Sequence, residues 1–264
     1  MNYESIKLEL DGDCVARLTL ARPDIQNALS LSVVAELRHA LQVVARNDKV
    51  RALVLTGEGK SFCAGGDLNW MKTVLSQSRA QRIEESKPLA QLFYEFDNLP
   101  KVVIGRINGP ATGGGFGLTC ICDVAVGSTT ARFSLTEARL GLVPANIGPY
   151  VVRRIGLARA RRYGLTTQFI DAAQAERVGL LDRVAAPEDL DRAVEEELAL
   201  VLSLPAGSIA GTKRLFNDVA GRPPVDCMDY TANCLADAWE TADAKEGIAA
   251  FLEKRPAAWK VTRG

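Results

Sequence analysis

Histidine is almost missing from this chain. One residue, His39, stands among 264, beside six cysteines with no Cys-x-x-Cys spacing. No His/Cys set with metal-ligand spacing can be assembled from that stock, so no metal site is expected. His39 lies on the polar face of a helical pattern and reads as a solvated side chain rather than a general base. Net charge is also absent, because 32 basic residues cancel 32 acidic ones. Such a balance leaves no electrostatic footprint for nucleic acid or for an anionic membrane surface. No apolar run approaches the roughly 18 residues of a membrane span. The start, "MNYESIKLELDGDC", has no basic region followed by an apolar stretch, so no secretory signal is expected. Cys14, Cys63, Cys120, Cys122, Cys227 and Cys234 therefore read as reduced, mostly buried thiols of a cytoplasmic protein.

What is present is a soluble-domain composition, 47% hydrophobic and 24% charged, enough for a substantial core. "SIKLELDGDCVARLTLARP" predicts a hairpin around Asp11-Gly12-Asp13. "LSLSVVAELRHALQVVARN" has helical apolar spacing after a Ser30 cap. "VRALVLTGEG", "KVVIGRING" and "DVAVGS" read as strands covered on both faces. Residues 70–98 predict a polar helical stretch in which Pro88 is expected to introduce a kink. Strand, glycine loop, helix and strand recur, which predicts an α/β fold with short crossovers. From about residue 187 the pattern is almost purely helical, over 187–203, 206–220, 225–240 and 242–254. The expected division is 1–186 as the α/β core, the part in which any catalytic and binding loops would lie, and 187–264 as a helical C-terminal subdomain.

Two glycine-containing loops each follow a buried strand: Phe62-Cys63-Ala64-Gly65-Gly66-Asp67-Leu68, and Gly113-Gly114-Gly115 before an apolar helix. N–H groups exposed at such strand-to-helix junctions can converge on a carbonyl oxygen and stabilise an oxyanion. The alternative for the Gly113–Gly115 run is close helix–strand packing. No Gly-Lys-Ser/Thr follows, so this is not a phosphate-binding P-loop, and no dinucleotide fingerprint is completed.

The chain resembles the crotonase (enoyl-CoA hydratase/isomerase) superfamily. "ARPDIQNALS" (21–30), "SFCAGGDL" (61–68), "INGPATGGGFGL" (107–118) and "CDVAVGSTTARFSLTEARLGLVPA" (122–145) carry the likeness, with "GLLDRV" (179–184) and "EGIAAFLEKRPAAW" (246–259) in support. The resemblance implies a spiral of repeated ββα units ending in helices that build a homotrimer, or a hexamer made of two trimers. It implies an acyl-CoA substrate, with coenzyme A as part of that substrate and no separate cofactor. The N–H groups of Gly66 and Gly114 match the family's oxyanion donors. Gln26, Ala28, Ala64, Gly66, Asp67, Leu68 and Asn69 match segments lining the CoA moiety, with Asp67 either a contact or a helix cap.

Typical hydratases of this family use two glutamates. The second matches Glu137; the first falls on Gly117, a departure that puts the two-carboxylate mechanism in question. Apolar neighbours Phe133, Leu135, Leu140 and Leu142 are expected to bury Glu137 and raise its pKa. "LGLVPANIGPYVVRRIG" (140–156) is similar to the subgroup that hydrates carboxylated, branched enoyl-CoAs, 3-methylglutaconyl-CoA or isohexenylglutaconyl-CoA, in leucine or acyclic terpene degradation. On that reading Gly117 removes a competing charge and opens space for the substrate carboxylate. Asn146 either hydrogen-bonds water or substrate or caps the helix near Ile147. Asp123 is expected to satisfy backbone donors. Arg153-Arg154 and Arg159, Arg161 and Arg162 are expected on solvated or intersubunit faces, a CoA-phosphate role being the alternative. The competing functions are a hydroxycinnamoyl-CoA hydratase-lyase, a decarboxylase, a double-bond isomerase, and a non-catalytic acyl-CoA- or RNA-binding scaffold.

Overall fold

The computed structural model describes residues 3–10 and 14–259. The turn expected at Asp11-Gly12-Asp13 lies outside the described residues. The two strands flanking it, β1 (Ile6–Leu10) and β2 (Val15–Leu20), pair antiparallel as the hairpin pattern requires.

From β2 the chain crosses through α1 (Leu31–Arg46) to β3 (Ala52–Gly57), parallel to β2. Ser30 caps α1 by accepting from the Val33 N–H. Next come α2 (Leu68–Leu75) and α3 (Arg79–Asp97), the latter one continuous helix through Pro88 rather than two pieces. β4 (Val102–Ile107) pairs parallel with β3. The short β5 (Ala111–Thr112) and α4 (Gly114–Cys120) lead to β6 (Val124–Ser128), which returns beside β4. β7 (Arg132–Ser134), α5 (Gly148–Ile155), α6 (Leu157–Thr166), β8 (Ile170–Asp171), α7 (Ala172–Arg177) and β9 (Arg183–Ala185) complete the strands. A six-stranded sheet runs β1-β2-β3-β4-β6-β9, and a three-stranded one β5-β7-β8.

The near-continuous apolar strands are explained by cover on both sides. Alternate residues of a strand point to opposite faces. Leu18, Leu53, Leu55 and Val103 pack with α1, α3 and α4 in one cluster. Val15, Ala52, Val54, Val102, Ile104 and Val126 pack in a second cluster against α8 (Leu190–Leu202) through Leu190, Ala193, Val194, Leu198 and Leu202. Thus α8, just past the expected boundary at residue 187, supplies the second face of the sheet. The remaining helices, α9 (Ala206–Val219), α10 (Met228–Glu240) and α11 (Ala242–Leu252), bury little against the core. They leave Phe216, Met228, Leu235, Trp239 and Phe251 exposed, as the turn before α10 leaves Val225. Among the described residues no helix is long and apolar enough to cross a membrane.

Candidate active site

Three loops at the ends of the parallel strands are laced together by backbone hydrogen bonds. Residues 26–29 zip onto 64–67: the Ala64 N–H donates to the Gln26 carbonyl (2.9 Å), Leu29 N–H to Gly65 (2.7 Å) and Asp67 N–H to Leu29 (2.9 Å). Residues 62–63 join 110–112, with Phe62 N–H on the Pro110 carbonyl (3.0 Å) and Thr112 N–H on Cys63 (3.0 Å). Thr112 Oγ1 donates to the Ala64 carbonyl at 3.0 Å. Gly113 N–H donates to Ser134 at 3.0 Å, which draws in the segment leading to Glu137. Asn27, which sequence reasoning passed over, is the buried peg of this assembly. Its Oδ1 accepts from Arg22 N–H and its Nδ2 donates to the Glu58 and Ser61 carbonyls, each at 2.9 Å.

The neighbouring glycines of the run stand in different surroundings. Gly115 is packing: a Cβ there would lie 2.1 Å from the Cys63 carbonyl oxygen. Gly114 faces the first loop, since its own Cβ would lie 3.6 Å from Gly65 Cα. Among the described residues nothing accepts from the Gly66 or Gly114 N–H. Two unspent donors on touching loops, one at the start of a helix, form an arrangement suited to an anionic oxygen.

Asp67 is a cap. Its Oδ1 accepts from the Asn69 and Trp70 N–H groups, and Oδ2 pairs with Arg22 at 3.3 Å. Leu68 and Asn69 are exposed in the first turn of α2 and Gln26 is exposed across from them, whereas Ala28 is buried. Asp123 accepts from the Val103 N–H at 2.7 Å, as expected of a backbone-satisfying residue, and from Lys213 Nζ. Arg153 pairs with Asp97 and Arg154 with Asp182, while Arg159 donates to the Val178 carbonyl. His39 accepts or shares a hydrogen bond with the Tyr3 hydroxyl at 2.9 Å. Cys63, Cys120, Cys122 and Cys227 are buried, with Cys14 and Cys234 partly so. Burial pushes the Cys63 and Cys122 thiols up to about 12, which keeps them protonated and inert.

Glu137 sits beside the donors: a Cβ at Gly113 would lie 3.3 Å from its Oε1. Its Oε2 is buried with no hydrogen-bond partner. Burial raises its pKa above the ordinary carboxylate value, opposed in part by its own N–H. The expected source of that burial needs correction. Phe133 and Leu135 are fully buried, but Leu140 and Leu142 are 55% and 53% exposed, because the 3₁₀ turn over 137–140 directs them outward.

Two further expectations change. Gly117 does not open space: a Cβ there would lie 2.3 Å from Ile147 Cγ2 and 3.0 Å from Phe93 Cε1. The volume that a glutamate would enter is filled by these two buried side chains. Asn146 does not cap the helix at Ile147, which has no side-chain cap. Instead its Nδ2 donates to Ser86 Oγ at 3.0 Å, and Ser86 lies 3.2 Å from its Oδ1. Ile147 lies within the 140–156 stretch, but Phe93 and Ser86 carried no motif signal; only helical spacing of Ser86, Leu89 and Phe93 on α3 hinted at a shared face.

The family model for enoyl-CoA hydratase/isomerase matches residues 11–262. A crotonyl-CoA hydratase of Syntrophomonas wolfei is 33% identical over 260 residues, 97% of this chain and 98% of that one. The solved structure of Pseudomonas aeruginosa AtuE is 37% identical with a TM-score of 0.93, covering 98% of this chain and all of that one. The crystal structure of an enoyl-CoA hydratase from Shewanella pealeana is 34% identical with a TM-score of 0.93, covering 97% and 96%.

Proposed function

The chain belongs to the enoyl-CoA hydratase/isomerase family, and from that premise we propose that it hydrates an enoyl-CoA thioester with one carboxylate doing the work of two. The observation that carries this is the pairing of Glu137, buried with an unspent oxygen, and Gly117, whose second-glutamate space is closed by Ile147. The thioester carbonyl would accept from the Gly66 and Gly114 N–H groups. Water oxygen then adds to the β-carbon while the double-bond electrons move through the α-carbon onto the carbonyl oxygen. Glu137 takes the proton that water gives up and returns it to the α-carbon, so OH and H arrive on one face and the carboxylate is regenerated. Losing one oxyanion donor of this kind costs about 2.7–4 kcal/mol of barrier. Coenzyme A would enter as part of the substrate along Gln26, Ala28, Ala64, Asp67, Leu68 and Asn69.

The acyl group in this reading is branched and carboxylated, of the 3-methylglutaconyl or isohexenylglutaconyl kind. Its support is the motif likeness over 140–156 and the neutral Asn146–Ser86 pair next in the chain to Ile147, which fills the place of the missing glutamate. Relief of charge is retained from the sequence reading; opened space is not. The working form would be a homotrimer, or a pair of trimers, in the cytoplasm, built on the exposed apolar side chains of α9–α11.

A panel of 3-methylglutaconyl, isohexenylglutaconyl, crotonyl and feruloyl CoA esters, followed by loss of the conjugated absorbance, tests the reading. Glu137→Gln should lower turnover by about 10²–10⁴-fold while CoA-ester binding persists. A variant that still turns over at the parent rate would sink the proposal. The closed Gly117 position also suits double-bond isomerisation, in which one carboxylate takes a proton from the α-carbon of a 3-enoyl thioester and returns it to the γ-carbon. Conversion of a 3-enoyl-CoA without hydration of any panel ester would favour that reading.

A further inference from the structure

Closing the second-glutamate space leaves the attacking water with one protein partner, Glu137, in a place where oriented attack needs two. Glu85, next to Ser86 on α3, is taken up by Trp70 Nε1 and Gln77 Nε2. Gly117 N–H donates to the Gly113 carbonyl at 3.1 Å, so the two glycines stand one turn apart on α4. Glu137 Oε1 lies over the first and Ile147 over the second, and Asn146 is the residue immediately before Ile147. Phe93 of α3 also touches Gly117, and Ser86 lies two turns earlier on the same face of that helix. Asn146 and Ser86 are each half-buried, and their bond to one another is the only side-chain hydrogen bond either makes among the described residues. An amide has two N–H donors and two acceptor sites, so the pair keeps unspent capacity beside the site.

Resting on the single-carboxylate reading above, we propose that the Asn146–Ser86 pair replaces the missing glutamate as the second holder of the attacking water. Ser86 Oγ accepts from Asn146 Nδ2 and fixes the amide plane. Asn146 Oδ1 accepts one O–H of the water, and Glu137 accepts the other. The remaining lone pair is directed at the β-carbon, the oxygen bonds there, and the proton released to Glu137 goes on to the α-carbon. Asn146 takes no proton at any point; it touches the reacting water, while Ser86 acts through Asn146 as a positioning residue.

Two reactions separate this role from a structural one. Hydration needs the held water, whereas exchange of the α-proton of the saturated acyl-CoA in D2O needs only Glu137 and the two N–H donors. Both are measured with the ester of the panel that the wild-type enzyme hydrates fastest and its saturated counterpart. Asn146→Ala should lower the hydration kcat by about 100-fold, the scale of a misplaced reactant, with KM and α-proton exchange within about twofold of wild type. Ser86→Ala should lower hydration by about tenfold, again without loss of exchange, and Ser86→Thr should restore it. The proposal is overturned if Asn146→Ala hydrates at the wild-type kcat, if hydration and exchange fall together, or if Ser86→Ala leaves hydration at the wild-type rate. Glu137→Gln keeps the two ideas apart: it should abolish both reactions, and if it spares both, the single-carboxylate reading fails independently of Asn146.

Discussion

Glu137 is held in a setting that suits catalysis and costs stability. Its pKa is raised by burial, so the folded protein favours the protonated carboxyl. The stability that this group contributes is therefore present below its unfolded value, near 4.5, and is lost as pH rises through the higher folded value. At pH 8 the ionised side chain is a liability, one Oε2 being buried without a partner. Glu137→Gln should accordingly melt at a higher temperature than wild type at pH 8, and the advantage should fade as pH falls toward 4.5. Thermal melts across that range check the sign. The acid limb of kcat/KM should lie above the ordinary carboxylate range for the same reason, because the base must be ionised to receive water's proton.

At the scale of elements, α3 and α4 meet where Gly117 faces Ile147 and Phe93. A glutamate introduced at Gly117 would collide with both, so charge alone does not describe its effect. Overpacking of this kind costs roughly 1–3 kcal/mol. Gly117→Glu should therefore be destabilised, and Gly117→Glu/Ile147→Ala should recover much of the loss by vacating the space. Denaturant melts of the two proteins measure the difference. Once volume is restored, the double variant provides the clean test of charge relief: activity on carboxylated esters should fall relative to crotonyl-CoA. A gain on the carboxylated esters would mean that the absent carboxylate is not what selects the substrate.

Across the whole molecule, the two faces of the main sheet are closed by helices of the same chain, whereas α9–α11 offer apolar side chains to solvent. An exposed apolar set of this extent fits the interface of the proposed trimer. Replacing Phe216 and Trp239, 65% and 58% exposed, with aspartate should convert the proposed trimer to smaller species in light scattering. Little change in the circular dichroism of the core is expected, since neither side chain packs into it. An unchanged mass would place the interface elsewhere.

Strand and helix patterning, the two glycine loops and the position of Glu137 were legible in the sequence because each rests on local rules: alternation, helical spacing, capping and the need for bare backbone. Even α8 was legible as a helix. Its task of covering the second face of the sheet was not, since Val54 and Leu198 meet only when the chain has crossed back over itself. The same separation explains the site. That Gly117 lacks a carboxylate is a property of one residue. That Ile147 and Phe93 occupy the vacated space, that Leu140 and Leu142 turn away from Glu137, and that Asn146 bonds Ser86 sixty positions earlier are matters of packing between distant segments. Local chemistry specified which groups the protein owns; only close packing of the folded chain decided which of them share the space around the reacting carbons.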